Sequence, residues 1–365
     1  MAAHRFLVQL LLLITLRTPE AQRQSSLDPG RVHAVLRFAF GVTLAFVASE
    51  LLEWIPTFLA PVLVAVVLVN VPVRPPLKVG VGLIVIIAAA ALIALFLCAV
   101  LRGAPALLFG ATALVVFLAL HAIAKGRPRI APILLLICVT AIPVVALQSE
   151  SAANAFAVAL VRSMCFAILI VWITYLLWPR VTPPRPAASA VPLSPELALK
   201  SALLGTAILT PLMLVYLMFG IADALPVLIG SVMIVANLDF RSGRKQAVAL
   251  VIGNTAGGIA SLALFLLLVL NPSVVTLTLI LLVAALAFGW RITAGDPMAA
   301  VVLVAFNAMM IVFSLSLLSD SGTFSIWVTR LTQFMIAGAF AIGMMALLWP
   351  RNDKPAQKAP TSTDA

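Results

Sequence analysis

Charge is scarce in this sequence. Only 10% of its residues are charged, where a soluble domain carries about a quarter. Acidic residues are scarcer still, at 12 Asp and Glu against 23 Lys and Arg, for a net charge of +11. With 64% of the chain hydrophobic, no water-soluble fold hides the apolar surface, so the solvent is a bilayer. The excess of positive charge does not point to nucleic acid, because the basic residues sit between apolar runs, where they set membrane topology. Cysteine is also rare. Cys98, Cys138 and Cys165 lie within apolar runs, are odd in number and lack ligand spacing; they read as buried small hydrophobes. His33 and His121 have no metal-site spacing. There is no Gly-rich phosphate loop ending in Lys-Ser or Lys-Thr, so ATP is not the direct energy source unless another subunit brings it. No nucleophile elbow, no defensible Cys/His pair and no acidic cluster is present. The chain is therefore expected to be no enzyme and to carry no cofactor.

What the sequence has in abundance is long apolar runs. They fall near 34–52, 57–72, 79–101, 104–124, 130–147 and 155–178, then near 200–220, 223–238, 246–270, 273–290, 298–318 and 325–349. None alternates as a barrel strand would. Helices satisfy their own backbone in lipid, so the fold class expected is an all-α polytopic membrane protein with about twelve crossings. Runs two and eight, 57–72 and 223–238, are short for a span.

The connections alternate in charge. One set holds Arg31 and Arg37, Arg74 and Lys78, Lys125, Arg127 and Arg129, Arg180 and Arg185, then Arg241, Arg244 and Lys245, Arg291, and Arg351, Lys354 and Lys358. The other holds Glu50 and Glu53, Arg102, Glu150, Asp223 and Asp320. The positive-inside rule places the first set, and with it both termini, in the cytoplasm.

Two echoes indicate an internal repeat. Leu176-Leu177-Trp178-Pro179-Arg180 returns as Leu347-Leu348-Trp349-Pro350-Arg351, and the four-residue spacing of Asn70, Arg74 and Lys78 returns in Asn237, Arg241 and Lys245. The expected organisation is an N-terminal extension over 1–30, six-helix halves over 31–180 and 200–351, a Pro-rich cytoplasmic linker over 181–199 and a disordered cytoplasmic tail over 352–365. Six helices per half makes the repeat parallel. A short apolar stretch from Phe6 to Leu16 resembles a signal peptide, but cleavage would leave Arg31, His33 and Arg37 on the exported side, so an extension is the better reading.

Few residues carry candidate chemistry. Arg162 and Arg330 each stand about two turns into the last helix of their half, 16 and 19 residues before the closing Trp. Arg in hydrocarbon costs at least ~2.5 kcal/mol and usually faces a bundle interior or water. The pair is a candidate contact for an anionic solute; snorkelling to headgroups is the plain alternative. Asn70 and Asn237 end the two short runs, each of which has a proline near its start (Pro61, Pro226). Paired short helices mark central sites in carriers, although helix-end capping explains the same residues. Glu50 is the best candidate for proton coupling, against an ordinary interfacial carboxylate. Gly253 and Gly257 are read as small-residue helix packing, and Asn254 and Asn307 as interhelical hydrogen bonders.

With two six-helix halves, a short second helix in each, a basic loop after it and an Arg in each sixth helix, the sequence over about 31–351 resembles the fusaric acid resistance and aromatic acid exporter superfamily of bacterial inner-membrane proteins. The resemblance implies efflux of small, often aromatic, carboxylic acids driven by the proton gradient. It also implies a periplasmic membrane fusion protein and an outer-membrane channel as partners. Many members carry a large cytoplasmic domain; here only the linker stands in that place. Asp239-Phe240-Arg241-Ser242-Gly243-Arg244-Lys245 is similar, with one residue more, to the Asp-Arg-x-Gly-Arg-Arg loop of the major facilitator superfamily, a second resemblance. A non-transporting scaffold of an envelope complex is the third reading. The bilayer is a partner under all three, and a homo-oligomer is compatible with each.

Overall fold

The computed structural model describes residues 28–71, 73–128, 130–181, 194–219, 225–236, 240–295, 298–318 and 323–348. The extension over 1–27, most of the linker, Asn237, Asp239 and the tail lie outside the described residues. Those described form twelve helices and no strand: α1 Pro29–Leu51, α2 Leu59–Asn70, α3 Leu77–Leu101, α4 Pro105–Ala124, α5 Ile130–Gln148, α6 Glu150–Leu177, α7 Pro195–Phe219, α8 Leu225–Val235, α9 Phe240–Leu270, α10 Val274–Ile292, α11 Ala299–Leu318 and α12 Thr323–Leu348. Each apolar run has become one helix. Among the described residues nine helices are long and apolar enough to cross a membrane. The protein is an all-α, multi-pass membrane protein.

Local signals set the ends. Asp28 caps α1, its Oδ1 accepting from Gly30 N at 3.0 Å, with Pro29 in the first turn. Ser273 caps α10 in the same way, accepting from Thr276 N at 3.1 Å. Gly126 follows α4 with φ 76° and Gly295 follows α10 with φ 68°, the left-handed positions that end helices most cheaply with glycine. Four helices, α1, α6, α7 and α9, begin about five residues earlier than their apolar runs predict. Arg241 to Lys245 ride on the first turns of α9, and α6 starts at Glu150. Polar residues extend a helix past its apolar core, because helix propensity does not require hydrophobicity. Pro143 and Pro211 lie inside α5 and α7, which continue through them.

The helices form two compact units, and neither is a sequence half. The first contains α1, α2, the start of α3 through Ile84, α6 from Arg162, α9 from Thr255, α10 and α11. Within it α1 packs on α10 and α2, α10 on α11, and α11 on α2. The second contains α3 from Val85, α4, α5, α6 through Val161, α7, α8, α9 through Asn254 and most of α12. Within it α7 packs on α4 and α8, α4 on α5, and α5 on α8. Each thus contains four helices in contact around a ring, two from each half of the chain, with α5 also touching α7 in the second.

The first core is aromatic. Phe38 of α1 and Phe288 of α10 both lie edge-on to Phe306 of α11, at 4.9 and 5.6 Å between centroids, and Phe46 meets Phe313 at 5.7 Å. Close helix approach needs small residues. A Cβ on Gly257 of α9 would overlap the Ala305 carbonyl of α11. Leu92, Phe96, Leu107, Leu266 and Leu270 stand exposed, as lipid-facing side chains do in a spanning helix.

Candidate functional site

Two arginines of the first unit, one bonded to the end of α6 and one beside the loop after α1, differ in role because their surroundings differ. Arg37 is 4% exposed. Its Nη1 donates to the carbonyls of Trp178 and Arg180 at 2.6 and 2.7 Å. These carbonyls flank Pro179, where α6 stops because proline has no N–H to continue it. The guanidinium also lies 4.3 Å from the centre of the Tyr175 ring, and Tyr175 Oη donates to Val71 O at 3.0 Å. Phe40 packs edge-on to Trp178 at 5.3 Å, and Trp172 Nε1 donates to Pro75 O at 3.1 Å. The first Leu-Leu-Trp-Pro-Arg motif is therefore a helix end held by Arg37. That residue entered the sequence analysis only as a topology charge. Its depth among Val35, Phe38 and Ala39 was the available signal.

Arg162 is different. Its guanidinium carbon lies 4.4 Å from the centre of the Trp54 ring. Trp54 in turn lies edge-on to Phe166 at 5.2 Å. The Arg162 Nε is buried with no hydrogen-bond partner, and among the described residues no carboxylate pairs with Arg162. A cation held by one aromatic face, with no anion beside it among the described residues, is an anion-receptive group. Arg162 stands twelve residues into α6, not two turns, because α6 begins at Glu150; it is level with the loop that carries Trp54.

That loop is shaped by the end of α1. Glu53 has φ 53°, the left-handed position usually taken by glycine. Glu53 N donates to Glu50 O at 3.0 Å and Trp54 N to Ser49 O at 2.8 Å. This winding turns the chain back and brings Trp54 over α6. Trp54 is the second residue that the sequence reading did not single out.

The other candidates fall elsewhere. Glu50 is half-exposed and its carboxylate makes no hydrogen bond or ion pair among the described residues. Asn70 is exposed, and its Nδ2 donates to Val66 O at 2.8 Å, within its own helix. Arg330 belongs to the second unit on α12, with its side chain outside the described residues; Asn237 is outside them altogether. Asn254 Nδ2 donates to Leu250 O at 2.7 Å within α9, so it does not bridge helices, while Asn307 Oδ1 is buried with no partner. Of the cysteines, Cys98 and Cys138 are buried, but Cys165 is exposed on α6; an apolar run has a lipid face, and a small thiol sits there as readily as inside. Arg102 pairs with Glu150. Among the described residues no group of three His, Cys, Asp or Glu side chains comes together to hold a metal.

Residues 34–174 match a family described as a protein of unknown function (DUF2955). The match covers less than half of the chain, from α1 to near the end of α6, and includes Arg37, Trp54 and Arg162. No curated protein and no solved structure matches the sequence.

Proposed function

We propose that this protein is an inner-membrane secondary exporter of small organic anions, aromatic carboxylates among them, driven by the proton gradient. It crosses the membrane twelve times in two six-helix repeats, with both termini in the cytoplasm. The observation that carries the reading is Arg162, an anion-receptive guanidinium over the Trp54 ring with a buried, unpartnered Nε.

Several features support the repeat. The contacts α1–α2, α2–α11, α11–α10 and α10–α1 are matched by α7–α8, α8–α5, α5–α4 and α4–α7. In that correspondence α10 matches α4, and these are the helices followed by the positive-φ glycines Gly295 and Gly126. The family match also stops where the first six helices do. The orientation gains support from the Arg102–Glu150 pair: the one basic residue in the acidic set of connections is neutralised by its own neighbour. In this reading the unpaired Glu50 carries the coupling proton, and a periplasmic membrane fusion protein and an outer-membrane channel complete the route.

The test is accumulation of labelled aromatic and aliphatic acids in cells with and without the protein, with and without an uncoupler. Expression lowers accumulation of one acid class; the uncoupler and Arg162→Ala each abolish the effect, with Arg162→Ala still in the membrane at normal level. Unchanged efflux in that variant removes the site. No flux from purified protein in vesicles leaves the scaffold reading.

A further inference from the structure

Hydroxyl side chains in membrane helices usually fold back onto the carbonyl one turn earlier. The second unit follows this rule. Thr112 donates to Leu108 O, Thr140 to Leu136 O, Thr206 to Ala202 O and Thr210 to Thr206 O, at 2.7 to 2.8 Å. The first unit follows it only in part: Thr174, Thr278, Thr293 and Ser316 bond back to Val171, Val274, Gly289 and Val312 in this way, but other polar side chains do not. Thr43 Oγ1 and Ser49 Oγ on α1, Ser261 Oγ on α9, and Asn307 Oδ1 and Ser314 Oγ on α11 are all buried with no protein partner within hydrogen-bond distance. Four of these side chains are at most 5% exposed. A buried polar atom left unpaired costs about 1–3 kcal/mol, and such atoms call for a ligand or water that visits them.

The helices that carry these atoms meet in one core. Thr43 and Ser49 bracket Phe46, which meets Phe313, the residue before Ser314. Asn307 follows Phe306, which packs on Phe38. Ser261 lies one turn beyond Gly257, where α9 touches the backbone of α11 at Ala305 and Met309. Phe38, Phe46, Phe306, Met309 and Phe313 belong to one buried cluster. At one end of this row, Ser49 O holds the Trp54 backbone, and Trp54 covers Arg162.

From this we infer that the first unit encloses a polar path for anions, lined by Thr43, Ser49, Ser261, Asn307 and Ser314 and ending at Arg162. The lining offers neutral hydrogen bonds and no carboxylate, so Arg162 alone sets the charge it accepts. A hydroxyl donates to an anion without changing charge, which suits repeated weak contacts along a route. The inference deepens the exporter reading and rests on it only for the sign of the charge carried.

The experiment measures access rather than transport. In the full chain with Cys98, Cys138 and Cys165 replaced by alanine, Ser49→Cys, Ser261→Cys and Ser314→Cys are compared with Thr112→Cys, Thr140→Cys and Thr206→Cys. The probes are an anionic sulfonate and a cationic trimethylammonium methanethiosulfonate, applied to protein in vesicles. The expected result is at least tenfold faster labelling in the first unit, with the anionic reagent about tenfold faster than the cationic one. Arg162→Gln should bring that ratio near one. Equal labelling in the two units overturns the path, and equal rates for the two reagents overturn its anion preference. If Ser49→Cys does not fold, Thr43→Cys takes its place on α1. An accessible path in a protein that moves no solute removes the exporter reading alone; a closed path in a protein that exports removes this inference alone.

Discussion

At the scale of single residues, two arginines of the same unit illustrate how partners decide role. Arg37 has two carbonyl acceptors and an aromatic face, so it is part of the scaffold. Removing it strands two carbonyls and opens a buried gap. Arg37→Ala is expected to lose about 3 kcal/mol, the scale of charged hydrogen bonds broken in a buried site, read as a lower melting temperature in detergent. Arg162→Ala should change stability by less, because it breaks one aromatic contact worth about 1–2 kcal/mol and relieves an unpaired Nε. A melting temperature that falls as far as that of Arg37→Ala would make Arg162 structural. Glu53 offers a second contrast. A left-handed residue with a Cβ carries about 1–2 kcal/mol of strain, part of which glycine gives back in chain entropy. Glu53→Gly is therefore expected to stabilise the protein by somewhat under about 1 kcal/mol in the same melt. A loss of stability would show that the exposed Glu53 side chain has a partner in the working protein.

At the scale of elements, packing depends on where side chains are absent. Gly257 lets α9 touch the backbone of α11, whereas an added methyl on Gly110 of α4 meets nothing within 4 Å. Gly257→Ala should cost about 1–3 kcal/mol by overpacking. Gly110→Ala should be neutral or gain slightly through helix propensity. Equal melting temperatures for the two would mean that α9 and α11 part more easily than their contact suggests. Helix existence was legible from the apolar runs, since twelve runs became twelve helices. Helix ends were less so. The run of polar letters before Gln246 and the residues from Glu150 looked like connections, yet both are helical, because a backbone that bonds internally needs apolar side chains only where lipid surrounds it.

For the whole molecule, orientation is the prediction that charge placement makes and that labelling can check. Glu53→Cys should react with an impermeant thiol reagent added outside intact cells, and Ser189→Cys in the linker only after permeabilisation. The reverse pattern inverts the topology and turns the exporter reading around with it. The arrangement of the units was not legible. The repeated Leu-Leu-Trp-Pro-Arg motifs divide the chain into consecutive halves, whereas each compact unit takes helices from both. Hydropathy reports how far a segment prefers lipid, and it carries no information on which apolar helix lies against which.

By itself, then, the sequence determined that the chain lives in a membrane, that it is helical, roughly where the helices lie, and that a few charges stand where charge is costly. These follow from composition and local periodicity, which act through each residue's own solvation. Only the tertiary structure decided that Arg37 closes a helix end while Arg162 has no anion beside it among the described residues, and that Trp54 reaches over it. It alone gathered the unpaired hydroxyls into one unit. Those facts depend on contacts between segments distant in the chain, such as Arg37 with Trp178 and Phe46 with Phe313, and no local pattern encodes which distant surfaces meet.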